Sequence, residues 1–504
     1  MPASKEYSDI LQKIKEAFAE ELLLSPYEIG DDADFVNDLG GDSLASLGVF
    51  TKLEEEYGVL LTDEEYLSCR TASEAAAMLL KKLNGESTAS EKTAQENARR
   101  IDRFTDSREW EMLSARLKEA EAVGNPYFVA HDSPLFDTSI VNGREVINYG
   151  SYNYVCLSGH PRTIAAAKAA AEKYGTSASG SRLLAGEKTL HRELEAEIAK
   201  WKHTEDAVVM VSGHATNVTV VGCFCNAHDL ILYDALSHNS IAQGCKLSEA
   251  TAKAFPHNDF AALEGILAKN RDKYEKVLLV VEGVYSMDGD IAPIDRFVAL
   301  KKKYGCFLMV DEAHSACVIG ETGRGVDEYF HLAPEDIDLK MGTLSKGLGT
   351  CGGYIAGKKE LVTFLRYYAP GFVFSVGLSP VLAAASLEGL KVLQEDPSIV
   401  QSLQKNIRDF VETAHEYGFD TCLAKETAIV PVLIGDDITA YALSDLMLKQ
   451  GVFVPPAVYP AVPHNQARLR FCLTSRHKSE QAKTAFALLD KLIRENGFNV
   501  PRTK

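Results

Sequence analysis

The sequence predicts an α/β protein in two unequal parts. A small N-terminal helical bundle precedes a mainly parallel sheet with flanking helices, which ends in a smaller C-terminal α/β segment. Three observations predict this. Residues 1–84 carry apolar side chains at helical spacing and no strand pattern. Residues 85–97, GESTASEKTAQEN, are polar and small, as in a flexible linker. From about residue 98, short continuous apolar runs alternate with helical segments, the pattern of strands buried on both faces and joined by right-handed crossovers. A length of 504 residues calls for more than one domain.

In the first segment, Ile10, Leu11, Ile14, Phe18 and Leu22 mark one amphipathic helix, and Pro26 and Gly30 open a loop. Asp42 and Ser43 stand just before Leu44, Leu47, Val49, Phe50 and Leu53, a second helix. Thr71 or Ser73 is placed to cap a last helix through Leu83. This segment holds 18 acidic against 7 basic side chains, a net charge of −11, leaving −7 for the remaining 420 residues. An acidic module joined to a more neutral body is the reading, and the overall charge of −18 argues against nucleic acid as a partner.

The longest apolar stretches, such as Val277 to Val281, are far too short to span a bilayer, and MPASKEYSDI has no apolar signal region. The ten cysteines are scattered. Even Cys223 and Cys225 lack a second pair at metal-ligand spacing, so no metal site is expected. Reduced thiols in the cytoplasm are expected instead.

In the body, a polar helix comes first. The runs AVVMVSGH, LILYDALSH, VLLVVEGVYSM, CFLMVDEAH and IDLKMGTLSK then read as five strands. Ligands of such sheets collect at the strands' carboxyl ends. Gly213, His214, His238, Ser286, Asp311, His314 and Lys346 close these runs, so they are expected to converge on one crevice. Lys346, among glycines and small residues in GTLSKGLGTCGGY, has the amine needed for a Schiff base. Asp311 is the acid that a protonated pyridine nitrogen requires. Singly, each has a plainer reading as a loop lysine, a turn aspartate or a structural histidine; the ordered set points to pyridoxal 5'-phosphate. Ser43 likewise reads alone as a helix N-cap, or as a hydroxyl held where backbone amides favour a phosphate.

Two resemblances sharpen these expectations. FVNDLGGDSLASLGVFTKLEEEYGV, within residues 5–83, closely resembles acyl carrier proteins, which implies a four-helix bundle over residues 1–84 and 4'-phosphopantetheine on Ser43. The segments GSYNYVCLSGHP, GSRLLAGEKTLHRELE, SGHATN, DALSHNSI, EGVYSMDGD, VDEAHSACVIGETGRG, GTLSKGLGTCGGY and ARLRFCLTSRH run in the order of the α-oxoamine synthase family. That family includes serine palmitoyltransferase, 5-aminolevulinate synthase, 8-amino-7-oxononanoate synthase and 2-amino-3-ketobutyrate ligase. GSYNYVCL stands nearer the serine palmitoyltransferase form.

The family resemblance implies the fold type I architecture of pyridoxal-phosphate-dependent transferases. The large domain and its arm would take residues 98–395 and a small domain 396–504. Lys346 becomes the Schiff-base lysine, Asp311 the partner of the pyridine nitrogen, His314 the ligand of the phenolic oxygen and His238 the residue on the ring face. Gly213 and His214 supply amides to the phosphate, with Thr343 near it and Ser286 on the substrate side. Arg470 matches the arginine that binds the amino acid's carboxylate, and Asn153 a position near the substrate. In place of the family's Phe-Ser-x-Ser segment this chain has Phe374-Ser375-Val376-Gly377, which puts a cross-subunit phosphate contact in doubt.

The implied reaction is a decarboxylative Claisen-type condensation of a small amino acid with an acyl thioester to give an α-amino ketone, in a homodimer served by acyl-loading and phosphopantetheinyl-transfer enzymes. The alternatives are an aminotransferase on the same fold, an α-oxoamine synthase using acyl-CoA, and a non-catalytic scaffold that only positions the carrier.

Overall fold

The computed structural model describes residues 5–22, 26–35, 39, 49–50, 52–54, 56–59, 69–83 and 101–503. Ser43 and the 85–97 segment lie outside the described residues. Of the expected carrier helices, Lys5–Leu22 and Ala72–Leu83 are described, with parts of the helix bearing Val49 and Leu53. Ile10, Ile14, Phe18 and Leu22, each a turn apart, point inward against Ala72, Ala75, Ala76 and Leu79, with Phe35 packed 4.5 Å from the Phe18 ring. Thr71 rather than Ser73 caps the last helix. Glu74 N donates to Thr71 Oγ1 while Glu74 Oε2 receives the amides of Arg70 and Thr71, the reciprocal pairing of a capping box.

The body opens with the expected polar helix, Arg108–Val123, capped by Ser107. The hairpin β1 (Thr138–Val141) and β2 (Arg144–Asn148) follows. The strands of the main sheet come next: β3 (Asp206–Met210), β4 (Leu230–Asp234), β5 (Thr251–Phe255), β6 (Val277–Glu282), β7 (Phe307–Asp311), β8 (Leu339–Thr343) and β9 (Gly353–Gly357). The last part contributes β10 (Ile429–Gly435), β11 (Val452–Phe453), β12 (Pro456–Ala457) and β13 (Ala467–Cys472).

The main sheet has the order β3-β9-β8-β7-β6-β4-β5. Its neighbours are parallel except around β9, which runs antiparallel to both β3 and β8. All five strands expected from the sequence are there. Every residue of β4, β6 and β8 is buried, because helices such as Gly213–Phe224, Phe260–Asn270 and Ile294–Tyr304 cover the faces. The small sheet β10-β13-β12 is antiparallel. Helices Ser398–Glu416 and Ser479–Asn496 pack on it through Phe410, Phe471 and Phe486, rings 4.8–5.7 Å apart. The arm is stitched to this end of the chain, since β2 pairs in parallel with β11. Tyr149 carries the contact inward, stacked on His477 and against Phe410 and Phe471. Among the described residues no helix is long and apolar enough to cross a membrane.

Candidate active site

The turns that follow the carboxyl ends of β3, β4, β6, β7 and β8 open on one crevice, and β13 of the small sheet closes it. Lys346 Nζ lies 2.7 Å from His314 Nε2, and His314 Nδ1 lies 2.7 Å from the Tyr154 hydroxyl. Tyr152 stands over both cationic residues of the crevice: its ring centre is 5.8 Å from Lys346 Nζ and 5.1 Å from the Arg470 guanidinium. Arg470 reaches in from β13, held by Nε donating to Ser286 O at 2.7 Å and by its contact with Cys472 Sγ at 3.1 Å. Asp311, 4 % exposed, accepts from Asn217 Nδ2 at 2.7 Å and from the Ala313 amide at 2.9 Å.

At the other side, helix Gly213–Phe224 begins directly after β3, with Ser212 as its cap. Gly213 is needed there, because a Cβ on it would come within 2.8 Å of Thr343 Oγ1 at the end of β8. His214, next along, faces His238 edge-on with ring centres 6.1 Å apart. The expected residues of the body thus lie together, with one exception. Asn153 uses its amide on Leu135 O and on Ser158, fixing the loop, and it is Tyr152 that faces the cluster.

The electrostatics suit proton transfer near neutral pH. Burial, outweighing the attraction of Asp311 and Glu282, draws the Lys346 amine down to about 8. Burial, with Lys346 and Arg470 alongside, holds His314 well below its usual range, so it is neutral. His238 is also lowered, again chiefly by burial. Glu282 is the neighbour of Asp311 across β6 and β7; burial and that carboxylate push it well above the usual carboxyl range.

Sequence reasoning missed Glu282, Asn217, Ser240, Tyr154 and Tyr152. Glu282 closes the apolar run of β6 as Asp311 closes that of β7, which was the available signal. Asn217 falls one turn beyond Gly213 in SGHATN. The departure at Val376–Gly377 has a packing reason: a Cβ on Gly377 would lie 2.9 Å from Arg182 Cγ, and the Gly377 amide donates to Gly180 O.

The donor set fits pyridoxal phosphate. Asp311 is a buried carboxylate that, among the described residues, has no ion-pair partner, as a carboxylate awaiting a protonated ring nitrogen would be. An amine, a neutral imidazole and a helix N-terminus with a hydroxyl beside it supply the remaining chemistry.

Comparison with known proteins agrees. Residues 144–489 match the aminotransferase class I and II family, and residues 12–79 match the phosphopantetheine attachment site. An 8-amino-7-oxononanoate synthase of Thermoanaerobacter pseudethanolicus is 40% identical over 361 residues, 72% of this chain and 91% of that protein. One from Treponema denticola is 37% identical over 389 residues, 77% of this chain and 98% of that protein. Among solved structures, a serine palmitoyltransferase of Sphingomonas wittichii superposes with a TM-score of 0.75 at 32% identity, covering 79% of this chain and all of that one. An 8-amino-7-oxononanoate synthase of Francisella tularensis does so with 0.60 at 26% identity, over 70% of this chain and 99% of that one. On the match to the body, the likeness to these synthases and the attachment-site match ahead of them, the chain belongs to the α-oxoamine synthase family of pyridoxal-phosphate-dependent acyltransferases, with a phosphopantetheine-bearing domain fused at its N-terminal end.

Proposed function

We propose that this protein joins the α-carbon of a small amino acid to an acyl group delivered as a thioester on its own carrier domain, with loss of the amino acid's carboxylate as carbon dioxide and release of the carrier thiol, leaving an α-amino ketone. The observation that carries the reading is the union in one chain of a phosphopantetheine attachment domain with a crevice where Lys346, His314, Asp311 and Arg470 lie together. A transaminase has no use for an acyl carrier.

The residues divide the work. Arg470 takes the amino acid's carboxylate, for which a planar guanidinium is suited. Lys346, drawn down to about 8, receives the Cα proton on Nζ. Pyridoxal phosphate, when bound, supplies an electron-withdrawing ring that stabilises the charge left at that carbon. Asp311 would keep the ring nitrogen protonated, His314 would bond the phenolic oxygen, and His238 would serve the ring face. Gly213, His214 and Thr343 would hold the phosphate, with Ser286 on the substrate side. Asn153 acts at one remove, through the loop that presents Tyr152. Ser43 carries the phosphopantetheine arm.

We place the carrier domain at 1–84, a linker at 85–97, the arm and large domain at 98–395 and the small domain at 396–504. Exposed Leu184 and Phe374, on segments joined by the Gly377–Gly180 hydrogen bond, support a homodimer contact. Buried reduced thiols at Cys156, Cys317 and Cys472 suit the cytoplasm. A second reading, a free coenzyme A thioester as donor, is favoured by relatives that match the body alone nearly end to end.

The test is intact-protein mass spectrometry of acyl-loaded protein given glycine, alanine or serine. One amino acid should discharge the acyl mass and yield an amino ketone. A keto acid product, or a carrier that none of them discharges, sinks the reading.

A further inference from the structure

An unbroken line of hydrogen bonds runs from Asp311 to His238 through two buried residues that have no assigned task. Asn217, in helix Gly213–Phe224, is 1 % exposed, and Ser240, in the first turn of helix Asn239–Leu247, is wholly buried. Asn217 Nδ2 donates to Asp311 Oδ2 at 2.7 Å and to Ser240 Oγ at 3.0 Å. Ser240 Oγ lies 2.6 Å from His238 Nδ1, and the Ser240 amide donates to the same nitrogen at 3.3 Å.

Donor bookkeeping gives the line a direction. The Asn217 amide cannot be turned over, because its carbonyl would then face the Asp311 carboxylate. Both of its hydrogens are therefore spent on Asp311 and Ser240. Ser240, having accepted one, has a single hydrogen to give. His238 Nδ1 stands against that hydroxyl and a backbone N–H, so it is an acceptor. The ring proton then sits on Nε2, which no group among the described residues takes.

We propose that Asn217 and Ser240 are positioning residues that lock His238 in the neutral tautomer protonated on Nε2, with the free N–H offered into the crevice. The lock is anchored on Asp311, so the acid of the proposed cofactor site also orients the histidine of its ring face. The surroundings keep the ring uncharged. Asp311 favours a charge, whereas burial, Lys346 and His214 oppose it. Glu282 accepts the His238 backbone N–H rather than its ring. His238 also caps the start of Asn239–Leu247, where a positive ring meets the positive end of the helix. The inference rests on the proposed site for its use, but the tautomer itself belongs to the cofactor-free chain.

The experiment is nitrogen NMR of the full-length, cofactor-free protein labelled with 15N-histidine, with His238 assigned by the signals lost in His238→Gln. The expected result is an unprotonated Nδ1 and a protonated Nε2 between about pH 6 and 8, the range where an unrestrained histidine changes charge. Ser240→Ala should shift Nδ1 toward the protonated range, and Ser240→Thr, which keeps the hydroxyl, should restore it. A proton on Nδ1 in the unmodified protein overturns the proposal without any variant needing to fold. Shifts identical in Ser240→Ala overturn it too. Neither outcome depends on whether the condensation reaction is correct.

Discussion

Arg470 enters the crevice from the small sheet, its guanidinium fixed by Ser286 O and Cys472 Sγ and faced by Tyr152. Lysine at this position would keep the charge and lose the planar fork. Arg470→Lys is therefore expected to raise KM for the amino acid roughly 10- to 100-fold, on the scale of about 1.5–3 kcal/mol for a hydrogen bond to a charged group. The rate at which acyl-loaded protein is discharged at saturating amino acid should stay put, and single-turnover kinetics over a range of amino acid concentration checks the split; a fall in that saturated rate with no change in the half-saturating concentration would refute the assignment. At this scale the sequence was informative wherever a polar residue closes an apolar run, as Asp311, His314 and Lys346 do. Asn217 and Ser240 were not legible, because an asparagine and a serine near helix starts look the same whether they cap a turn or orient a histidine. Only their distances to Asp311 and His238 separate the two.

Directly behind Asp311, the elements are tied by a buried charge network. Glu312 and Lys202 pair at 2.6 Å with both side chains wholly buried, and Asp327 pairs with Lys340 at 2.9 Å. Glu312 Oε1 has no partner, and burial pushes this carboxyl up to about 7. Lys202→Met would strand Glu312 without its cation. It should cost about 3–5 kcal/mol, the range for breaking one side of a buried pair, read from the guanidinium chloride midpoint; a loss under about 1 kcal/mol would mean that the network is slack.

Just past the ends of the paired strands β4 and β5, His257 bridges Asp234 and Asp290 at 2.9 and 3.1 Å. Those hydrogen bonds, outweighing burial, push it up to about 10. A folded value above the unfolded one, about 6.5, means that the charged histidine stabilises the fold fully below pH 6.5. The contribution is lost as pH rises towards 10. The gap in Tm between the native protein and His257→Gln should therefore be widest at pH 6 and close across that window, as differential scanning calorimetry can measure. Among elements, the buried parallel strands were readable as unbroken apolar runs. β5 and β9 were not. β5 is an edge strand with Lys253 at its centre, and β9 is five residues bounded by glycines, so neither has a run long enough to register.

At the scale of the whole molecule, the proposed delivery of the acyl group by the attached domain turns on charge and tethering. The acidic first segment, with its net −11, is suited to electrostatic steering, which acts mainly on encounter rate. A short flexible tether holds a partner at about millimolar effective concentration. Ser43→Ala, which cannot take the arm or be loaded, should form no product when the acyl group is supplied through the loading enzymes, and should leave any reaction with an acyl-CoA intact. Full activity of this variant, followed by product mass spectrometry, would identify free thioester as the donor.

What the sequence by itself determined was the contrast between an acidic first segment with helical patterning and an α/β body, the register of polar residues at strand ends, and which amine, acid and imidazole stand there. Each follows from periodicity or from a residue's own chemistry, and both are local. Tertiary structure alone decided that the arm pairs with β11, that β13 brings Arg470 to the crevice from about 120 residues beyond Lys346, and that burial moves Lys346, His314 and Glu282 off their ordinary values. The physical reason is that desolvation and hydrogen-bond direction depend on which groups surround a side chain, and no spacing along the chain encodes that.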